Sequence, residues 1–187
     1  MDKNLNDRRR RIVFSSHQKV VYPGHGVAEI SRIFEKKIGN HVSVLLELKF
    51  LHKDMTVMVP MDKTNEVGIR PLTSGDSINK ILSNCLQAPR KIDIHELSAS
   101  NWNRRNKDYQ NKLRTGSLEA ISSIYSDLKA ISCYKELSFG EKTLLQKTET
   151  LLVEEISASN NMEEEKAVEQ LRSFFVPSLK NVYQKTV

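Results

Sequence analysis

Between residues 19 and 72 apolar and polar positions alternate with a period near two, in runs rich in branched and aromatic side chains, the pattern of half-buried strands. Val20, Val21 and Tyr22 run into the turn cluster Pro23-Gly24-His25-Gly26, and Val27 to Phe34 resumes the pattern, which predicts a hairpin. Lys36-Lys37-Ile38-Gly39-Asn40 predicts a second turn, Val42 to Phe50 a long strand, Leu51-His52-Lys53-Asp54 a third turn, and Met55 to Val59 a short strand stopped by Pro60. Connections this short leave no room for parallel crossovers, so the predicted sheet is antiparallel. About four or five short strands can hide one apolar face only by curling, which points to a small SH3-like or Tudor-like barrel.

Past Thr73-Ser74-Gly75-Asp76 the period changes to about 3.6, and the chain reads as helices. A short helix is expected over Ile78 to Leu86, ending near Pro89; a second is capped by Ser100 or Asn101 and stops at Gly116. Ser117 starts a third, on which Leu118, Ile121, Ile124, Tyr125, Leu128 and Ile131 form an apolar stripe. Ser138-Phe139-Gly140-Glu141 has capping-box spacing before a fourth helix carrying Leu144, Leu145, Leu151, Leu152 and Ile156 on one face. Asn161 is expected to cap a last helix over Met162 to Phe175, ending at Pro177. The predicted class is therefore α+β in two domains: a basic disordered arm over 1–13, the barrel over 14–73, a compact all-α bundle of about five helices over 77–178, and a tail over 179–187.

Charge sharpens this picture. The 187 residues carry 29 Lys and Arg against 23 Asp and Glu, a net charge of +6, which favours a polyanionic partner such as nucleic acid. Residues 100–116 hold Arg104, Arg105, Lys107, Lys112 and Arg114 against Asp108 alone, whereas residues 138–170 are strongly acidic. One side of the bundle should attract phosphate and the other repel it, although an acidic run is most simply a solvated helix face. Glu154 and Glu155 fall in that run and are expected on exposed surface. The 2 cysteines, Cys85 and Cys133, suit neither a disulfide framework nor a metal clip, and with no apolar stretch long enough for a signal peptide or a membrane span the expected compartment is the cytoplasm.

Catalytic constellations are missing. There is no phosphate-binding glycine loop, nucleophile elbow or H-E-x-x-H helix, and the 5 histidines are scattered at spacings that match no metal site. His25, inside the Pro-Gly-His-Gly turn, reads as a turn residue that hydrogen-bonds the backbone. The expectation is a non-enzyme without cofactor or metal. Trp102, the 1 tryptophan, is the informative residue. At about 100° per residue it shares a helix face with Tyr109 and Leu113, which makes it a core anchor; its place in the first turn also suits an apolar wedge that enters a minor groove beside arginines.

Four stretches together resemble the CarD/CdnL transcription regulators: Val20-Val21-Tyr22-Pro23-Gly24-His25-Gly26; Asp54 to Pro60 followed by Val67-Gly68-Ile69-Arg70; Asn101-Trp102-Asn103-Arg104-Arg105; and Leu137 to Lys142. The first alone also resembles a domain of the bacterial transcription-repair coupling factor. The resemblance spans about residues 14 to 175 and implies a Tudor-like domain that docks on a lobe of the RNA polymerase β subunit. It also implies a helical domain that contacts promoter DNA at the upstream edge of the transcription bubble and stabilises the open complex. It places the wedge at Trp102, with Arg104, Arg105, Lys107 and Lys112 as DNA contacts, and the polymerase contact at Lys36 and the strand Thr56, Val57, Met58, Val59 and Pro60. Met58 stands where some relatives carry arginine, so an ionic contact to polymerase is expected to become apolar.

Neutralising about five phosphates predicts a salt slope near −4 to −5 and only non-specific affinity, so tethering to polymerase must supply the rest. Two other readings stay open at this level: a general architectural DNA-binding protein acting without polymerase, and a recruitment adaptor that uses the acidic helices. A monomer is expected, since one basic helix and one polymerase contact require no dimer symmetry.

Overall fold

The computed structural model describes residues 13–38, 41–87 and 99–183. The Arg8 to Arg11 run and Pro89 lie outside the described residues. Five strands form one antiparallel sheet: β1 Lys19–Tyr22, β2 Gly26–Ile38, β3 His41–Phe50, β4 Thr56–Pro60 and β5 Arg70–Pro71. Their order is β4-β3-β2-β1-β5, and the segment Met61–Val67, a 3₁₀ turn running into the short helix α1 (Thr64–Val67), carries the chain from one sheet edge to the other. The inner face packs Val20, Ala28, Ile30, Leu46, Leu48, Val59 and Ile69 around Phe14 and Phe50. A β-bulge at Ser31 shifts the β2–β3 register, so that Ile30 and Ile33 both serve the core while Arg32 turns outward.

Five further helices follow: α2 Gly75–Gln87, α3 Ala99–Thr115, α4 Leu118–Tyr134, α5 Phe139–Asn160 and α6 Glu164–Tyr183. With the sheet they make the chain an α+β protein. Tyr109, Leu113, Ile121, Ile124, Tyr125, Leu128, Leu144, Leu151, Leu152, Ile156 and Leu171 share one core. Ser117 caps α4 by accepting from the Ala120 N–H at 3.1 Å, and Ser138 with Glu141 forms the capping box of α5.

Three helix boundaries depart from expectation. Ser100 and Asn101 lie inside α3, which starts at Ala99. Asn161 does not open the last helix but closes α5: it adopts the left-handed conformation (φ 49°, ψ 50°) and its N–H donates to the Ser157 carbonyl, a geometry that asparagine tolerates better than most residues. α6 continues through Pro177 to Tyr183, where a terminus at the proline was expected and residues 179–183 were assigned to a tail. A helical proline forfeits one N–H bond and bends the helix without having to end it.

The two halves are joined by buried charge. Glu154 and Glu155 of α5 are 3% and 1% exposed, so the expectation of a solvated surface is wrong for both. The Glu155 carboxylate accepts from both Arg70 Nη atoms at 2.6 and 2.8 Å and from the Thr73 N–H at 3.1 Å, while Arg70 Nε donates to the Gly116 carbonyl between α3 and α4 at 2.9 Å. Glu154 accepts from the Val27 N–H at 3.1 Å and sits 3.9 Å from Lys53 Nζ. Its carboxylate fills the space of a side chain at Gly26, where a Cβ would come within 1.8 Å of Oε2, and Gly26 also has φ +102°. Pro23 also sits close on Gly116, where a Cβ would lie 2.7 Å from its Cγ. His25 Nδ1 lies 3.0 Å from the Pro23 carbonyl, closing the turn upon itself.

Removing one partner of a buried bidentate pair strands the other charge. Glu155→Ala is therefore expected to lower the unfolding free energy by roughly 3 to 5 kcal/mol, read from urea denaturation. A loss below about 1 kcal/mol would mean that Arg70 finds solvent and that the joint contributes little.

Candidate functional site

α3 divides its side chains cleanly. Tyr109 and Leu113 are buried at 1% and 3%, and Trp102, on the same face one helix end away, is half-buried against the helical core. The two readings of Trp102 are thus not exclusive in geometry: the indole is anchored on one side and reaches solvent on the other. Its footing is Gly140 in the first turn of α5, where a Cβ would stand 3.0 Å from Trp102 Cζ2. Glycine at this position lets the indole approach the backbone of α5 closely.

The basic residues separate into two groups. Arg104 and Lys107 are exposed and form no ion pair among the described residues; Arg114 is exposed as well. Arg105 is drawn inward: its side chain is 10% exposed, Nη2 donates to Glu141 Oε1 at 2.7 Å, and its guanidinium carbon lies 6.0 Å from the centre of the Trp102 ring. Arg105 is thus packed beside Trp102 and paired with Glu141, mostly withdrawn from solvent. Lys112 is also occupied, 3.4 Å from the Asp108 carboxylate and 3.5 Å from the Ser123 hydroxyl.

Glu141 organises this end of the bundle. Besides Arg105 it accepts from Lys135 Nζ at 3.0 Å and from the Ser138 N–H and hydroxyl at 2.9 Å each. Burial by itself would push its pKa up, but the Ser138 N–H and the Lys135 ammonium outweigh it and hold the carboxyl below its ordinary value. Glu154 at the domain joint is the opposite case: burial raises its pKa, and the Val27 N–H and Lys53 only partly offset this. The capping role of Glu141 is local and readable in the sequence, whereas its pairing with Arg105, 36 positions away, and that of Glu154 with Val27, 127 positions away, are not.

The other candidate surface is the sheet edge. Among the described residues β4 pairs only with β3, so its outer backbone groups are unsatisfied by the sheet. Within β4, Val59 is 4% exposed and Val57 packs on the core, while Thr56, Pro60 and Met58, the last 50% exposed, face outward. Met58 stands opposite Glu47, and Glu47 opposite Arg32, whose Nε and Nη2 donate to it at 2.9 and 2.7 Å. The Arg32 guanidinium and the Ser31 hydroxyl hold Glu47 below the usual carboxylate range. Lys36 lies further out on the same sheet face, opposite Ser43 and beyond the end of β4. Arg32 and Glu47 were missed in the sequence because the bulge at Ser31 breaks the alternation that would place them.

An antiparallel sheet with an open edge is thus joined to a helical bundle that displays a half-buried tryptophan among cations. The comparisons with known proteins give this arrangement a family. Residues 14–73 match the family model described as "CarD-like/TRCF RID domain", and residues 86–172 match that described as "CarD, C-terminal domain". The "Putative transcription factor YdeB" of Bacillus subtilis (strain 168) is 25% identical over 166 residues, covering 87% of this chain and 99% of its own. The chain belongs to the CarD/CdnL family of transcription regulators. Among the described residues no group of His, Cys, Asp and Glu could hold a metal ion, and no helix is long and apolar enough to cross a membrane.

The lowered pKa of Glu141 makes an acid-side prediction. A carboxyl depressed in the folded state contributes stability that is fully present above its unfolded value, near 4.5, and is lost as pH falls through the folded value. In thermal melts between pH 6 and pH 3, Glu141→Gln should therefore be less stable than the wild type at the neutral end and should lose less on acidification. Parallel curves would show that Glu141 does not carry the dependence.

Proposed function

We propose that this protein is a non-catalytic transcription initiation regulator that holds the β subunit of RNA polymerase through the β4 edge and stabilises the promoter open complex through Trp102. The supporting observation is that a strand edge unpaired among the described residues and an anchored, partly exposed indole occur in two halves joined by buried hydrogen bonds and an ion pair. An exposed edge can extend a partner's sheet by main-chain hydrogen bonds, with Thr56, Met58 and Pro60 supplying side-chain contacts and Lys36 a charge at the flank. Met58 makes the centre of this contact apolar. Arg32, immobilised by Glu47, presents positive charge in the same cross-strand row.

The helical half then meets only DNA that polymerase already holds. An indole backed by Gly140 and Arg105 can lean into a minor groove without losing its footing. Parting a base step costs a few kcal/mol in intact duplex and less where pairing is already lost, so such a wedge favours the melted state. About 1.4 kcal/mol of differential affinity raises the ratio of open to closed complexes tenfold. Arg104, Lys107 and Arg114 line the outer face of α3 and serve as phosphate contacts.

Occupation of Arg105 and Lys112 within the protein changes the expected electrostatics. With about three displayed cations, the slope of log K against log salt should be near −3, instead of the −4 to −5 that follows from five free charges. A measured slope beyond −4 would return Arg105 and Lys112 to the DNA interface.

The lifetime of open complexes tests the main reading. Trp102→Ala should return the lifetime to that without factor while leaving polymerase capture intact, and Met58→Glu should weaken capture at least tenfold while leaving DNA affinity unchanged. A Trp102→Ala variant as effective as the wild type would refute the wedge. Tight duplex binding by the isolated protein at physiological salt would instead favour an architectural role.

A further inference from the structure

The end of the bundle that carries Trp102 displays a second aromatic side chain that no structural role explains. Phe139, the first residue of α5, is 87% exposed and packs into neither core. Burying such a side chain is ordinarily favourable, so a solvent-facing phenylalanine on a well-formed helix end is a feature to be accounted for. Its chain neighbour Gly140 is the residue on which the Trp102 ring rests. Consecutive Cα atoms lie about 3.8 Å apart, so Phe139 departs from the backbone immediately beside the indole. Tyr134, the last residue of α4 and 50% exposed, closes the same end from the other side of the α4–α5 connection.

We propose that Phe139 is a second base-stacking contact, which takes up an unpaired base next to the step opened by Trp102. This rests on the DNA reading given above and extends it from one wedge to a two-aromatic platform. Three observations favour nucleic acid as the occupant. The adjacent helix α3 is basic by five residues to one over 100–116, and its exposed Arg104 and Lys107 complement a phosphate backbone. Phe139 has no polar atom, so it suits a base face, which any sequence provides. Its backbone is fixed before binding, since the capping box of Ser138 and Glu141, with Arg105 and Lys135 on the same carboxylate, ties α3, the connection and α5 together. Little ordering cost remains to be met when a base arrives.

The chemistry separates Phe139 from the cations. Stacking releases no counterions, so loss of Phe139 should change affinity without changing the salt slope, whereas loss of Arg104 should reduce the slope by about 1. Being exposed, the side chain can be removed without unfolding the protein.

The test uses the full chain and two DNA probes: a fork junction with 2-aminopurine at the first unpaired position, and the same sequence fully paired. Phe139→Ala should weaken fork binding about tenfold, within the range for stacking one base, leave duplex binding within about twofold, keep the wild-type salt slope and abolish the 2-aminopurine quench. Phe139→Tyr should restore fork binding, and the melting temperature of both variants should equal that of the wild type. If Trp102→Ala loses fork preference while Phe139→Ala keeps it, the proposal fails and the wedge stands. If neither variant alters fork binding, the DNA reading itself falls. If Phe139→Ala shortens open-complex lifetime with polymerase yet binds the fork normally, the side chain meets a protein of the promoter complex and the stacking proposal is overturned.

Discussion

Two adjacent carboxylates, Glu154 and Glu155, hold the molecule in one shape. They project from the C-terminal third of α5, the longest described helix, into the base of the sheet domain, and one is locked by a guanidinium fork from β5 while the other accepts an amide from β2. Neither half alone could keep such groups dry, because each carboxylate finds its partners in the other half. A buried ion pair is a poor source of stability compared with an apolar contact of the same volume, but it is demanding in geometry. What it supplies here is a fixed angle and distance between the open edge of β4 and the indole at the head of α3. Two weak contacts joined in this way act at high mutual concentration only when the connection is neither too loose nor misdirected.

A similar use of charge recurs at the other end of α5. Glu141 collects Arg105, Lys135 and the cap of its own helix, and in doing so withdraws a cation from the surface to stiffen the platform under Trp102. Basic residues that look equivalent in a helix thus have different fates, decided by whether an acidic partner from another helix lies within reach. The cations left outside are those opposite the buried face of α3.

The class of fold was legible in the chain, since period two and period 3.6 occupy separate halves and short connections force antiparallel pairing. Helix starts with a polar cap followed by Glu, as at Ser138, were legible too, because that signal is local. What could not be read was everything that depends on distant partners. Glu155 looks like one more residue of an acidic face until Arg70, 85 positions earlier, is brought to it. Asn161 resembles an N-cap in sequence because asparagine suits both helix ends. Arg32 escapes notice because one extra residue at Ser31 inverts the alternation. The motifs that carried the family resemblance are instructive here: Pro23, Gly26 and Arg70 sit at the joint between the halves, so much of the signature records how the molecule is held together.

The contact between Gly26 and Glu154 also constrains how such a chain can diverge. Any side chain at 26 collides with the carboxylate, and any shortening of 154 opens a cavity beside Val27 and leaves its amide without an acceptor. The two positions are therefore free to change only in a set order, the glutamate first and the glycine afterwards, with a less stable intermediate between them. Pro23 and Gly116 form a second such pair, which the same logic ties to the turn between α3 and α4. Lineages that keep the joint must keep all four residues, while the exposed face of β4, bound by no comparable steric rule, is free to exchange a residue such as Met58.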